Sequence, residues 1–150
     1  YDNEEPTIVD QSVVRKKQQK STRLHEEIVI ALARKLEAAQ YKIQEDPNSV
    51  DLLATRGDKH AILEVKTITR RNLDQRVRLG VGQLLEYRYR YYRQFTAKPN
   101  AILVLSSTAK FPDWVREYFS TDIQMGLVYF INPNQFFADT TGELESVLSG

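Results

Sequence analysis

The chain has 150 residues, a formal net charge of +1, 41% apolar and 27% charged residues. That length suits one domain with a single sizeable core, and the composition is that of an ordinary globular protein. Cysteine is absent, which excludes disulfides and thiolate chemistry, and no apolar run reaches the length of a membrane span.

Taken in order, residues 1–10 are acidic with Pro6 and read as a tail, with Ile8 to Val14 as a short strand or docking arm. Arg15, Lys16, Lys17, Lys20 and Arg23 follow with no acid among them. Ser21 or Thr22 is placed to cap a helix. Leu24, Ile28, Leu32, Leu36 and Ala39 recur every three or four residues, which predicts an amphipathic helix from Leu24 through Ala39. Glu27 borders its apolar face, with Glu26 and His25 beside it. A histidine there reads as a metal ligand, a phosphate contact or, more often, simply a helix-surface residue.

Tyr41 to Ile43 begins a first strand, and Pro47-Asn48 turns the chain. Val50–Ala54 and Ala61–Val65 flank a polar loop containing Gly57, the pattern of a hairpin. Glu64 and Lys66 are two apart on a strand and therefore share a face. Asp51 falls near the same open end of the pair. Two carboxylates gathered in this way repel, and a hard divalent cation such as Mg²⁺ relieves the conflict.

Thr67 to Arg78 is polar, carries Arg70, Arg71, Arg76 and Arg78, and reads as a mobile segment crossing the mouth of the site. Arginine's planar fork suits phosphate oxygens. A long helix is predicted from about Val81 to Phe95, with Gly80 and Gly82 at its start suggesting close backbone approach to the sheet or to a substrate. Gln83 and Tyr87 share one face of it, and Tyr91 extends that face. Ala101–Leu105 is a buried strand by its continuous apolar run. Asp113–Phe119 is a short helix after Pro112, and Leu127–Ile131 is another strand. Residues 132–150 read as an edge element or cap, with turns at Pro133 and Gly142.

Charge is unevenly spread. Between Arg56 and Arg93 there are ten Arg or Lys against four Asp or Glu, whereas from Asp113 onward six acids face Arg116 alone. The basic half holds the carboxylates, as expected if a polyanion lies over a cation site. The acidic half is a candidate surface for self-association or a partner.

Asp51 followed by Glu64-Val65-Lys66 resembles the PD-(D/E)xK signature of restriction endonucleases, Holliday-junction resolvases and RecB-type nucleases. Val50 stands where the Pro of that signature would be. Gln83-Leu84-Leu85-Glu86-Tyr87 fits the Q-x-x-x-Y element of RecB-type members, and the run from Arg78 to Tyr87 is similar to nuclease domains of bacterial defence or restriction-like proteins. The resemblance spans about residues 24–106. It implies an α/β fold, a restriction-endonuclease-like core with a mixed sheet flanked by helices, over residues 22–150, with 1–21 as tail or arm and 107–150 as an extension. It implies Mg²⁺-dependent hydrolysis of DNA phosphodiesters, with Mn²⁺ able to substitute. Asp51, Glu64 and the Val65 carbonyl would hold the metal, and Glu27 would join from the first helix. Lys66 would position the attacking water, Gln83 would orient Lys66 or that water, and Tyr87 with the four arginines would contact the nucleic acid.

DNA is the expected partner, and cutting both strands calls for a homodimer or higher oligomer. A cytoplasmic location is expected, and the opening Tyr1 suggests a piece of a larger protein with further domains. Two other classes stay open on the residues alone. One is a nucleic-acid-binding domain of this fold that does not cleave, and the other is a protein-interaction module in which Glu64 and Lys66 merely pair.

Overall fold

The computed structural model describes residues 11–44, 50–97, 100–132 and 135–150, with the backbone alone for residues 11–22. Helix α1 (Gln11–Ala38) is followed by β1 (Lys42–Gln44), β2 (Leu52–Arg56), β3 (Lys59–Lys66), α2 (Leu73–Tyr92) and β4 (Asn100–Ser107). Then come α3 (Asp113–Glu117) with a π-helical turn at Tyr118–Asp122, β5 (Gly126–Asn132), β6 (Gln135–Ala138) and α4 (Glu143–Leu148). The six strands form one sheet in sequence order. β1, β2 and β3 are antiparallel, β3, β4 and β5 are parallel, and β6 returns antiparallel to β5.

Alternation along the strands sorts the core onto two faces. Ala61, Leu63 and Val65 of β3 pack with Val104, Val128 and the α1 stripe Ile28, Leu32, Leu36, which α4 completes through Leu144 and Leu148. Leu53, Ile62, Leu103 and Leu105 pack on the other face under Val77, Val81, Leu84, Tyr87 and Tyr91 of α2 and Val115 of α3. The result is the mixed α/β sheet flanked by helices that the sequence predicts. Both parallel connections carry their helices on one face, as right-handed crossovers in one direction along a sheet require.

Local chemistry explains the boundaries. The end of α1 is a Schellman arrangement: Tyr41 N–H donates to Leu36 O at 2.9 Å and Gln40 N–H to Glu37 O at 3.0 Å. Gln40 takes the left-handed conformation (φ 72) that glycine usually fills there, and the buried pair Tyr41 and Leu36 holds it. Gly57 (φ 60) makes the two-residue turn between β2 and β3.

Three expectations need correction. α1 starts ahead of Ser21 and Thr22, so these residues lie within the helix and not at its start. Gln11 to Val14 are likewise helical, not a strand or extended arm, while Ile8 to Asp10 lie outside the described residues, as do the turns at Pro47-Asn48 and Pro133. Finally, α2 begins at Leu73, eight residues before Val81, so Arg76 and Arg78 are helical. The linker before it is tied down: Thr69 N–H donates to Asn72 Oδ1 at 2.7 Å, Asn72 N–H to Thr69 Oγ1 at 3.3 Å, and Ile68 N–H to Thr108 Oγ1 at 3.1 Å. Reciprocal bonds of this kind nucleate a helix where composition alone suggests a loop. Gly80 permits the close approach expected of it, since a Cβ there would stand 2.6 Å from Leu105 Cδ1. Gly82 has no such neighbour and faces open space.

Candidate active site

The hairpin register aligns Leu52 with Leu63, so one further step brings Asp51 beside Glu64. Asp51 N–H donates to Glu64 Oε1 at 3.2 Å, and Val65 N–H donates to Asp51 Oδ2 at 2.8 Å. Lys66 Nζ donates to Glu64 Oε2 at 3.1 Å. Glu64 and Lys66 are both buried, with side chains 5% and 10% exposed. The parallel register sets Lys66 beside Ser107 at the carboxyl end of β4, the edge at which open α/β sheets place their ligands.

Burial acts on the two carboxylates unequally. Glu64 is pushed up to about 7, first by loss of solvent and then by the charge of Asp51, with Lys66 only partly opposing. Burial is also the largest influence on Asp51 and raises it, but the hydrogen bonds from His25 and the Val65 N–H together outweigh it and leave the group below its ordinary value. His25 Nε2 lies 3.1 Å from Asp51 Oδ2. That bond raises the histidine above its usual value against the desolvation that lowers it. The pairing favours the protonated imidazole, whose Nε2–H donates to the carboxylate. Neighbouring carboxylates driven apart in this way are common at functional sites and occur in structural ion-pair networks too.

The residues expected at the site divide. Asp51, Glu64, Val65 and Lys66 are brought together. Gln83 is half-buried on α2, and its Oε1 is buried without a hydrogen-bond partner among the described residues. Arg76 stands two turns away on the same flank of that helix, while Arg70 and Arg71 are exposed on the turn before it. Arg78 is exposed on the opposite flank. Glu27 is exposed, and no described hydrogen bond or ion pair joins it to Asp51 or Glu64. His25 holds that position instead. The signal was spacing: His25 precedes Ile28 by three and shares its stripe, whereas Glu27, one residue from Ile28, is rotated about 100° away. Tyr87 is 5% exposed, inside the core of α2 and the sheet, and stacked on Tyr91 at 6.1 Å. Its ring is occupied in packing.

Among the described residues no three His, Cys, Asp or Glu side chains form a group able to hold a metal by themselves. The donors that do converge are two carboxylates and a backbone carbonyl. A strand residue presents its N–H and C=O to the same neighbour, so the Val65 carbonyl faces the Asp51 side as its N–H does. Few hard oxygen ligands with room left for water suit Mg²⁺, which keeps several waters, and not a closed zinc-type cage.

Among the described residues no helix is long and apolar enough to cross a membrane. No family model matches the sequence, and no curated protein sequence is detectably similar to it. Two crystal structures are similar in fold. One is an XisH family protein from Nostoc punctiforme PCC 73102, with a TM-score of 0.45 and 16% identity over 69% of this chain and 90% of that one. The other is an fdxN element excision controlling factor protein from Anabaena variabilis, with a TM-score of 0.44 and 15% identity over 70% and 90% of the two chains.

Proposed function

We propose that this chain is a Mg²⁺-dependent nuclease hydrolysing DNA phosphodiester bonds, acting as the cleavage domain of a larger defence or restriction-like protein. The observation that carries this is the cluster of half-buried Asp51, just ahead of β2, with buried Glu64 and Lys66 of β3 at the carboxyl edge of the sheet. A protein-interaction module has no use for two desolvated carboxylates and an ammonium, whose burial is costly.

Asp51, Glu64 and the Val65 carbonyl would hold the ion, which when bound supplies Lewis-acid polarisation of a phosphate oxygen and a water of lowered pKa. The chain's own groups do the rest. Lys66 carries positive charge beside the carboxylates, where it orients a water and offsets charge gathering on the phosphate. His25 fixes the rotamer of Asp51 through its Nε2–H and keeps that carboxylate ionised. Gln83, whose buried Oε1 has no hydrogen-bond partner among the described residues, would orient Lys66 or that water. Arg70, Arg71 and Arg76 supply fork-shaped donors for the flanking phosphates.

The test is cleavage of supercoiled plasmid, linear duplex and single-stranded DNA in Mg²⁺ or Mn²⁺, with EDTA and Asp51→Asn controls. Metal-dependent cutting lost in the variant is expected. Salt-sensitive binding to DNA without any cutting would leave a binding domain in its place. The same assay separates the two helix residues. His25→Ala is expected to slow cleavage by on the order of tenfold or more, as outer-shell partners do, and Glu27→Ala by less than about twofold. The reverse order would return Glu27 to the site.

A further inference from the structure

A second concave feature lies on the other flank of α2. Val77, Arg78, Val81 and Gly82 of α2 face Trp114 of α3 and Tyr118 of the π-helical turn across a groove of about 500 Å³. Trp114 is the only tryptophan in the chain and is 50% exposed, although its neighbours Val115 and Phe119 are fully buried. An indole left half in water is not there for the core. The groove's floor is aliphatic, its walls are aromatic, and the charged group that lines it is a guanidinium. The nearby acid Asp113 is already paired with Arg116.

The groove lies at the height of the carboxylates. Gly80 rests on Leu105, and Leu105 is the register partner of Glu64. α2 is only about 10 Å wide, so a strand held on the flank of Gln83 and Arg76 reaches the flank of Arg78 within a few nucleotides. We propose that this groove binds an unstacked nucleobase of the bound strand, its ring against Trp114 and its phosphate at Arg78. Aromatic platforms beside a basic track are how single strands are held without regard to sequence. The groove is roomy enough for a base, and its apolar and aromatic lining suits the face of a flat ring. This deepens the nuclease reading and rests on it for the identity of the polyanion. It makes the preferred substrate one with unpaired nucleotides next to the cut, in place of a perfect duplex.

Trp114 is its own reporter. Its emission is followed as an oligothymidylate of about a dozen nucleotides is added in EDTA, so that no hydrolysis enters. A backbone-matched abasic oligonucleotide and Gly82→Leu are the comparisons. No heavy atom lies within 4 Å of a Cβ built at Gly82, so leucine enters the open groove and, as a better helix former, does not threaten folding. Quenching by the thymidylate is expected, with on the order of ten- to a hundredfold weaker binding by the abasic strand or by Gly82→Leu. Equal quenching by both strands, no quenching, or quenching undiminished in Gly82→Leu each overturns the proposal. So does a blue shift that grows with protein concentration without DNA, which would put a second copy of the chain in the groove. Plasmid cleavage is scored separately. Cutting without base-dependent quenching sinks the groove alone, and base-dependent quenching without cutting sinks the nuclease alone.

Discussion

Lys66→Met is expected to lower metal-dependent cleavage by at least about 10²- to 10³-fold while leaving a folded protein. The magnitude is that of removing one preorganised charge or donor aimed at the transition state in a desolvated site. Methionine is chosen because Lys66 is only 9% exposed and its stem is part of the packing. A thioether of similar length fills that slot, whereas alanine would add a cavity penalty. Removing one member of a buried ion pair usually costs about 3–5 kcal/mol, because the other charge is stranded. Here Glu64 has an escape, since a carboxyl already pushed up to about 7 takes a proton and ceases to be a charge. Thermal melting should therefore fall much less than the stranded-charge figure, and activity much more. Single-turnover nicking of supercoiled plasmid in Mg²⁺, beside circular dichroism, checks both. Nicking within about twofold of the parent would remove Lys66 from the chemistry and leave it a structural partner of Glu64.

The parts of this arrangement that were legible in the sequence are those set by a short repeat. Period-2 alternation placed Glu64 and Lys66 on one face, and Gly57 set the hairpin that aligns Asp51 with Glu64. The apolar run at residues 101–105 marked a central strand because both faces of β4 are covered. The start of α2 was not legible, because the arginine-rich run around the local Thr69–Asn72 cap looks like a loop, the tie from Ile68 to Thr108 is tertiary, and Gly80 and Gly82 lower the helical propensity of their segment. The Q-x-x-x-Y resemblance implies a contact role for Tyr87, and a tyrosine at that helical spacing looks the same in the sequence whether it faces a sheet or a ligand. Only the sheet's position distinguishes the two. His25 and Glu27 differ by two residues in the chain but by about half a turn on the helix, and the choice between them depended on which stripe meets Asp51.

Glu64→Gln should remove cleavage and at the same time flatten the pH dependence of stability in the metal-free protein. In the folded chain Glu64 titrates near 7, against an ordinary value of 4.5. Between those values the native state holds a proton that the unfolded chain has released. Stability therefore falls as pH rises through that window, by a few kcal/mol at most. His25, also raised, acts in the same direction: the stability it gives is complete below about 6.5 and is lost as pH rises through its folded value. Asp51, lowered, contributes above its ordinary range and gives way only as pH falls through its folded value, below the range of the test. The wild-type protein in EDTA should thus melt progressively lower from pH 5 to pH 8. Glutamine imitates the protonated carboxyl at every pH, so the variant keeps only the His25 part of the slope and should melt higher than wild type at pH 8. Parallel slopes in calorimetry at pH 5, 6, 7 and 8 would show that Glu64 does not titrate there. Adding Mg²⁺ reverses the comparison, because an ion held by the ionised carboxylate stabilises the folded state by about 2.7 kcal/mol at a hundred times its Kd. That gain belongs to the wild type and not to Glu64→Gln. Since the ion and the proton compete for the same oxygens, Mg²⁺ affinity should rise about tenfold per pH unit below 7 and level off above it. Cleavage at subsaturating Mg²⁺ should climb over the same range, with the proton on Glu64 as its switch.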